Sequence, residues 1–283
     1  MKKKLFITCA ITGSQTNKSL SPYHPTTIEE IARDAVNVAR AGAAVAHFHL
    51  RDEEGKPSMD TARWSEQMTA VREALAKEKL DLIINVTASG SKFPEELRLN
   101  HLPIVKPEMC SFDAGSMNWG DDYVFFNRPQ FLEALGELTI KEEIKPELEV
   151  FDAGMLGNVE RYLKRGYLKA PLHYQIMMGV KGGMDATLEN VSYLVNHLHP
   201  GSTWSISGIG KAHMPMLLAG LSAECDGLRV GLEDNVLLEK GVYATNAQLV
   251  ERAIQIAKLA GREIATAAET REILGLKQHV NYL

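Results

Sequence analysis

The sequence predicts an α/β fold, a single (β/α)8 TIM barrel, on three observations. Short apolar runs rich in β-branched residues alternate with longer stretches at helical spacing, the pattern of βα units around a parallel sheet. The chain has 283 residues, and a barrel of this kind takes about 250. The turn after the first run, Thr12-Gly13-Ser14-Gln15-Thr16, has one glycine where a dinucleotide fold would carry a Gly-rich fingerprint. No linker or low-complexity tract interrupts residues 1–283, which read as one catalytic domain. The tail 264–283 is expected to hold a short helix and to pack on the barrel or on a neighbouring subunit.

Strands are expected, in order, at Leu5–Ile11, Ala44–Leu50, Leu82–Thr87, Met109–Asp113, Leu148–Asp152, His173–Met178, Thr203–Ile209 and Leu228–Leu232. The first helix, expected over Thr27–Ala41, opens on a Thr cap with Glu29 and Glu30 in its first turn and closes at Gly42. Further helices are expected at Asp60–Lys77, Arg128–Leu138, Asn158–Arg165, Thr187–Leu198, His213–Leu221 and Asn246–Gly261. The segment after the third strand is irregular, with at most a short helix near Pro94–Leu99.

A net charge of -5 argues against nucleic acid as a partner, because phosphate binding needs clustered Lys and Arg. The one basic run, Lys2-Lys3-Lys4, reads as a solvated end. Cys9, Cys110 and Cys225 are an odd, scattered set, which fits a reducing compartment better than a disulfide framework. The apolar start, Leu5 to Ile11, is too short for a secretory or membrane-spanning segment. No membrane partner and a cytoplasmic location are therefore expected.

Reactive side chains of such a barrel sit at the C-terminal ends of its strands. The second strand ends in His47-Phe48-His49, and alternation sends both imidazoles to one side. Two histidines so placed are a common pair of metal ligands, although one of them could equally be a hydrogen-bonded core residue. The eighth strand ends in Arg229, Gly231 and Glu233 at one parity, with Asp234 opening the loop. Glu233 can supply a third ligand, and two His with one carboxylate leave open positions, as catalytic metals require. The competing arrangement is an Arg229–Asp234 salt bridge with Glu233 in water.

Thr12, Gln15, Asn85, Thr87, Ser89, Ser111, Asp113 and Asp152 recur at the same end of successive strands. Gly182 and Gly183, after the sixth strand, allow backbone N–H groups to face an anion. Lys211 and His213, after the seventh, are further candidates for a negative ligand, whereas His173 begins its strand and belongs at the opposite end.

Together these stretches resemble the β-keto acid cleavage enzymes. The resemblance runs through Ala10-Ile11-Thr12-Gly13, His47 to Arg51, Lys106-Pro107-Glu108-Met109, Gly115 to Gly120, Gly182-Gly183-Met184, Gly208-Ile209-Gly210, Gly231 to Asn235 and Asn246 to Val250. It implies zinc on His47, His49 and Glu233, commonly a homotetramer, and acetyl-CoA as co-substrate. The implied reaction converts a β-keto acid and acetyl-CoA into acetoacetate and a new acyl-CoA. It also implies catalytic roles for Arg229 and Asp234, with Thr87 and Ser111 as hydroxyls near the substrate. Gln15 stands where relatives acting on amino keto acids carry Glu, which disfavours a cationic substrate. Asp113 stands where Asn is common and pulls the other way. The alternatives are a metal-dependent hydrolase and a lyase that cleaves a CoA ester without a second substrate.

Overall fold

The alternation of apolar runs and helical stretches resolves into a closed parallel barrel. The computed structural model describes residues 3–90 and 92–277. The barrel strands are β1 (Phe6–Ala10), β2 (Val45–Phe48), β3 (Ile83–Val86), β4 (Met109–Asp113), β5 (Lys145–Val150), β6 (His173–Met178), β7 (Thr203–Gly208) and β8 (Gly227–Val230). Each pairs with the next in the chain, and β8 closes onto β1. The helices are α1 (Ile28–Ala41), α2 (Thr61–Lys77), α3 (Leu102–Val105), α4 (Pro129–Lys141), α5 (Ala153–Lys164), α6 (Leu188–Asn196), α7 (His213–Ser222), α8 (Asn246–Leu259) and α9 (Ala267–Leu274). Among the described residues no helix is long and apolar enough to cross a membrane.

Local chemistry sets the helix ends. Thr27 and Glu30 form a capping box on α1, and Gly42 ends it in a left-handed conformation. Asp60 caps α2, and Thr245 with Gln248 forms a second capping box on α8.

Strand parity divides the chain between two layers of packing. Ile7, Cys9, Ala46, Phe48, Ile84, Val86, Cys110, Phe112, Leu148 and Val150 face outward into the sheath of helices. The inward residues are stratified. Phe6, Val45, Ile83 and Met109 form an apolar floor, sealed from below by Ala265, Ala267 and Leu274. Arg271 on α9 ties that seal to the barrel through Asp81 and Glu108. Gly227 is required at this level, since a Cβ there would stand 2.4 Å from the Phe6 ring. Above the floor the interior turns polar, with Thr8, Asn85, Glu147, Gln175, Ser205 and Arg229 all buried.

Several boundaries differ from expectation. The strand expected at Leu148–Asp152 begins at Lys145 and ends at Val150. Its inward Glu147 and Glu149 conceal a strand whose apolar residues face out. The following helix starts at Ala153 rather than Asn158, because the Asp152 side chain accepts from Gly154 N and Met155 N and caps it there. The barrel ladder of β2 ends at Phe48, and Leu50–Arg51 instead pairs antiparallel with Pro57–Ser58. Similar short ribbons, Met117–Trp119 with Tyr123–Phe125 and Leu237–Glu239 with Val242–Tyr243, rise from the same end of the barrel. The short helix expected near Pro94–Leu99 lies at Leu102–Val105. Part of the tail, residues 278–283, falls outside the described residues.

Candidate metal centre and catalytic chamber

His47 and His49 leave the end of β2 on one side, with ring centroids 5.1 Å apart. Glu233 reaches them from the turn after β8. Gly231 makes that turn possible: its φ is +137°, and a Cβ would meet Ala10 O at 2.0 Å. The chain therefore crosses the end of β1, and Glu233 N donates to Ala10 O at 3.2 Å. Gly13 leaves room on the other side, since a Cβ there would lie 2.6 Å from Glu233 Cγ.

Glu233 Oε1 stands 3.3 Å from His49 Nε2, and Glu233 Oε2 stands 3.8 Å from His47 Nε2. One ligand atom from each residue lies within 4.8 Å of the others. Burial pushes His47 down to about 4, so it is the neutral imidazole that metals bind. Burial alone would raise the Glu233 carboxyl, but His49, Arg229 and His47 outweigh it and hold the group well below the usual carboxylate range. Glu233 Oε2 is buried without a hydrogen-bond partner. Two imidazoles and an anionic oxygen left unpaired form a donor set that fits a divalent cation such as zinc.

Arg229, 1% exposed, is the hub beneath this cluster. It donates through Nε to Asp234 Oδ2 at 3.0 Å, through Nη1 to Glu149 Oε1 at 2.5 Å and through Nη2 to Glu233 Oε1 at 3.1 Å. Glu147 lies 4.0 Å away. Burial opposes the charge, but these carboxylates reverse the balance and keep the guanidinium protonated. Ser207 Oγ donates to Asp234 Oδ2 at 2.8 Å. Burial raises the Asp234 carboxyl above its ordinary range against the pull of Arg229, which makes it a stronger base than an exposed aspartate. The Arg229–Asp234 salt bridge weighed from sequence is thus present, but Glu233 joins it and the histidines rather than facing water.

A cavity of about 440 Å³ opens over this cluster, lined by His47, His49, Thr87, Ser111, Asp113, Glu149 and Asp234 among others. Gln15 lies at its edge, with Nε2 3.1 Å from Tyr123 Oη. Ser111 Oγ accepts from Ala88 N at 2.9 Å, which leaves its O–H free to donate. Thr87 Oγ1 is used in a turn: it accepts from Ser89 N at 2.9 Å and donates to Ser89 O at 3.3 Å. Asp152 caps α5 outside the lining. Gly182 and Gly183 also lie outside it. A Cβ on either would strike backbone, Asn118 O at 1.9 Å or Phe151 O at 2.7 Å, so their role here is close packing of two loops. The same loop presents Lys181 to the cavity instead. His213 is buried and receives Arg252 Nη2 at 3.2 Å, and His173 sits at the floor between Thr203 and Ser205.

Sequence reading missed Glu147 and Glu149, whose spacing of two on β5 was the available signal. It also missed two buried arginines. Arg51 donates to Gly13 O and, at 2.7 Å, to Thr16 O, and so staples the loop carrying Gln15. Arg98 donates to Ala88 O, Phe126 O and Asn127 Oδ1 and joins two rim loops.

Comparison with known proteins follows from this geometry. A profile of the beta-keto acid cleavage enzyme family matches residues 4–276. The 3-keto-5-aminohexanoate cleavage enzyme of Fusobacterium nucleatum is 38% identical over 280 residues, 98% of this chain and 100% of that one. The 3-dehydrocarnitine:acetyl-CoA trimethylamine transferase of Rhizobium meliloti is 34% identical over 298 residues, covering 98% of each. Among solved structures, apo ObcA superposes with a TM-score of 0.81 at 21% identity, over 90% of this chain and 66% of that one, a likeness of fold.

Proposed function

This chain belongs to the beta-keto acid cleavage enzyme family, and from that membership we propose that it condenses a β-keto acid with acetyl-CoA to give acetoacetate and a new acyl-CoA. One observation carries the reading: a raised, buried carboxyl, Asp234, is held by Arg229 beside two histidines and a glutamate in one chamber. Deprotonation next to a carbonyl needs such a base close to an electrophilic site.

His47, His49 and Glu233 would hold the metal, which we take to be zinc. Bound there, it supplies Lewis-acid stabilisation of negative charge on a substrate oxygen. The chain's own residues account for the proton and the positioning. Asp234 takes the proton from the carbon between the keto and carboxylate groups. Arg229 and Ser207 fix the carboxylate in place, and the guanidinium keeps its charge throughout. The resulting enolate carbon attacks the acetyl-CoA carbonyl, a carbon–carbon bond forms, and CoA thiolate leaves. The thiolate then attacks the original keto carbon, the bond from that carbon to the former α carbon breaks, and acyl-CoA leaves with the enolate of acetoacetate, which takes the proton back from Asp234. The free O–H of Ser111 is placed to donate to an oxyanion on this route, a role that Thr87 shares less readily because its hydroxyl serves the Ser89 turn. Lys181 at the rim suits the anionic end of CoA.

The same proposal includes a homotetramer in the cytoplasm, whose oligomeric state light scattering of purified enzyme checks. The deciding experiment incubates the metal-loaded enzyme with a panel of β-keto acids, with and without acetyl-CoA. Acetoacetate that forms only when acetyl-CoA is present supports the reading. Cleavage without acetyl-CoA would instead indicate a lyase or hydrolase.

A further inference from the structure

Asp113 on β4 and Glu149 on β5 are direct partners in the strand register, both turned into the barrel. They are 3% and 6% exposed. Like charges opposite one another on neighbouring strands repel, and the repulsion grows as water is excluded. The nearby cations are unequally shared. Arg229 Nη1 takes Glu149 Oε1 at 2.5 Å, while Arg98 spends its N–H groups on Ala88, Phe126 and Asn127. The two inward carboxyl side chains are thus neighbours on adjacent strands, and both line the same cavity. Two carboxylates have only acceptors, so such a pair can share a hydrogen bond only with a proton on one of them.

We propose that Asp113 carries this proton and presents it to an oxygen of the bound acyl substrate, acting as a hydrogen-bond donor and not as a counter-ion. The role in catalysis rests on the reaction proposed above. The shared proton rests on the register, the burial and the one-sided ion pair of Glu149 with Arg229, apart from that reaction. In the free enzyme the O–H lies between the two acids. When a substrate oxygen enters, the O–H turns to it and Glu149 keeps its bond to Arg229. Burial and then the charge of Glu149 push Asp113 well above the usual carboxylate range, against Arg98 and Arg229. The charged groups facing Asp113 are therefore Glu149 from β5, Arg229 from β8 and Arg98 from the segment after β3, with Glu147 one layer deeper on β5. As pH rises the proton leaves, the pair becomes a dianion, and an anionic substrate loses a donor and meets a repulsive charge.

The test compares wild type with Asp113→Asn, Asp113→Ala and Glu149→Gln in the metal-loaded enzyme, by infrared spectroscopy and by pH-dependent acetoacetate binding. The expected result has three parts. A protonated-carboxyl component present in wild type at neutral pH is missing from Asp113→Asn, over the signal that Glu147 contributes to both. Wild-type affinity falls at alkaline pH. Asp113→Ala loses about tenfold, the scale of one such hydrogen bond, while Asp113→Asn recovers most of that loss with a flat alkaline limb, because an amide donates without titrating. A protonated-carboxyl signal undiminished in Asp113→Asn, or an alkaline decline unchanged in that variant, overturns the proposal. An enzyme that makes no acetoacetate from any keto acid would remove the proposed reaction but not the band, and a missing band would remove the shared proton but not the reaction.

Discussion

A methyl group added to Gly13 would stand 2.6 Å from Glu233 Cγ, so the Glu233 side chain and the first loop are packed directly against each other. The φ of +65° at Gly13 adds backbone strain to any larger residue. Gly13→Ala is expected to cost about 1–3 kcal/mol of stability and to displace Glu233. Metal content measured after dialysis should fall well below that of wild type. A Gly13→Ala enzyme with full metal and unchanged melting would show that the contact is not confining.

Metal binding and proton transfer should separate by residue. Glu233→Gln is expected to lose the metal, whereas Asp234→Asn keeps it and loses about 10²–10⁴-fold in kcat. Arg229 is the wrong place to make this distinction. Its removal strands the buried carboxylates of Glu149, Glu233 and Asp234, at about 3–5 kcal/mol for a broken buried pair. Thermal melting of Arg229→Met should show that loss. Metal analysis and kinetics of the Glu233 and Asp234 variants decide the assignment, and Asp234→Asn turning over at the wild-type rate would end it.

Acid should unfold the protein early. Burial pushes His24 and His101 down to about 4, and His173 and His213 down to about 3. An unfolded histidine protonates near ~6.5, so between these limits the unfolded chain binds protons that the folded one refuses. The stability is complete above ~6.5 and is lost progressively as pH falls from there toward the folded values. Glu147, pushed up to about 7 by burial, acts in the opposite sense: its contribution is complete below its unfolded value and fades as pH rises through about 7. Asp34, Asp113, Asp226 and Asp234 are raised as well and act in the same sense as Glu147, so they offset part of what the four histidines lose. The melting temperature is therefore expected to drop steadily between about pH 7 and about pH 5, and a flat profile would contradict these burials.

Substrate choice should favour an uncharged or anionic tail. Gln15 offers a neutral amide, already hydrogen-bonded to Tyr123, and Asp113 shares its proton with Glu149 on the reading above. Neither provides a counter-ion for an ammonium group. A β-keto acid with an alkyl tail is expected to exceed its amino analogue by roughly tenfold in kcat/KM, with Gln15→Glu narrowing the gap. Preference for the amino compound by the wild type would refute this.

Much of the scaffold was legible in the sequence, for a physical reason. β4 and β6 begin and end where their apolar and polar alternation places them. The His47, His49 and Glu233 cluster was visible because strand parity and rim position are local properties of the chain. β5 was misplaced because its interior face is acidic, and a pattern search that assumes an apolar interior leaves Lys145 to Glu147 out of the strand. Arg51 and Arg98 left no local signal at all. Apart from Asn127 Oδ1 their partners are backbone carbonyls, and every backbone carries those, so only the folded loops reveal which ones are met.

The apolar floor of Phe6, Val45, Ile83 and Met109, backed by α9, gives the barrel a closed bottom. Among the described residues the chamber over the histidines is thus approached from the opposite end. Under the proposed reaction a keto acid held against the histidines would lie behind the thioester, so the small acid is expected to enter ahead of the carrier and the new acyl-CoA to leave before acetoacetate.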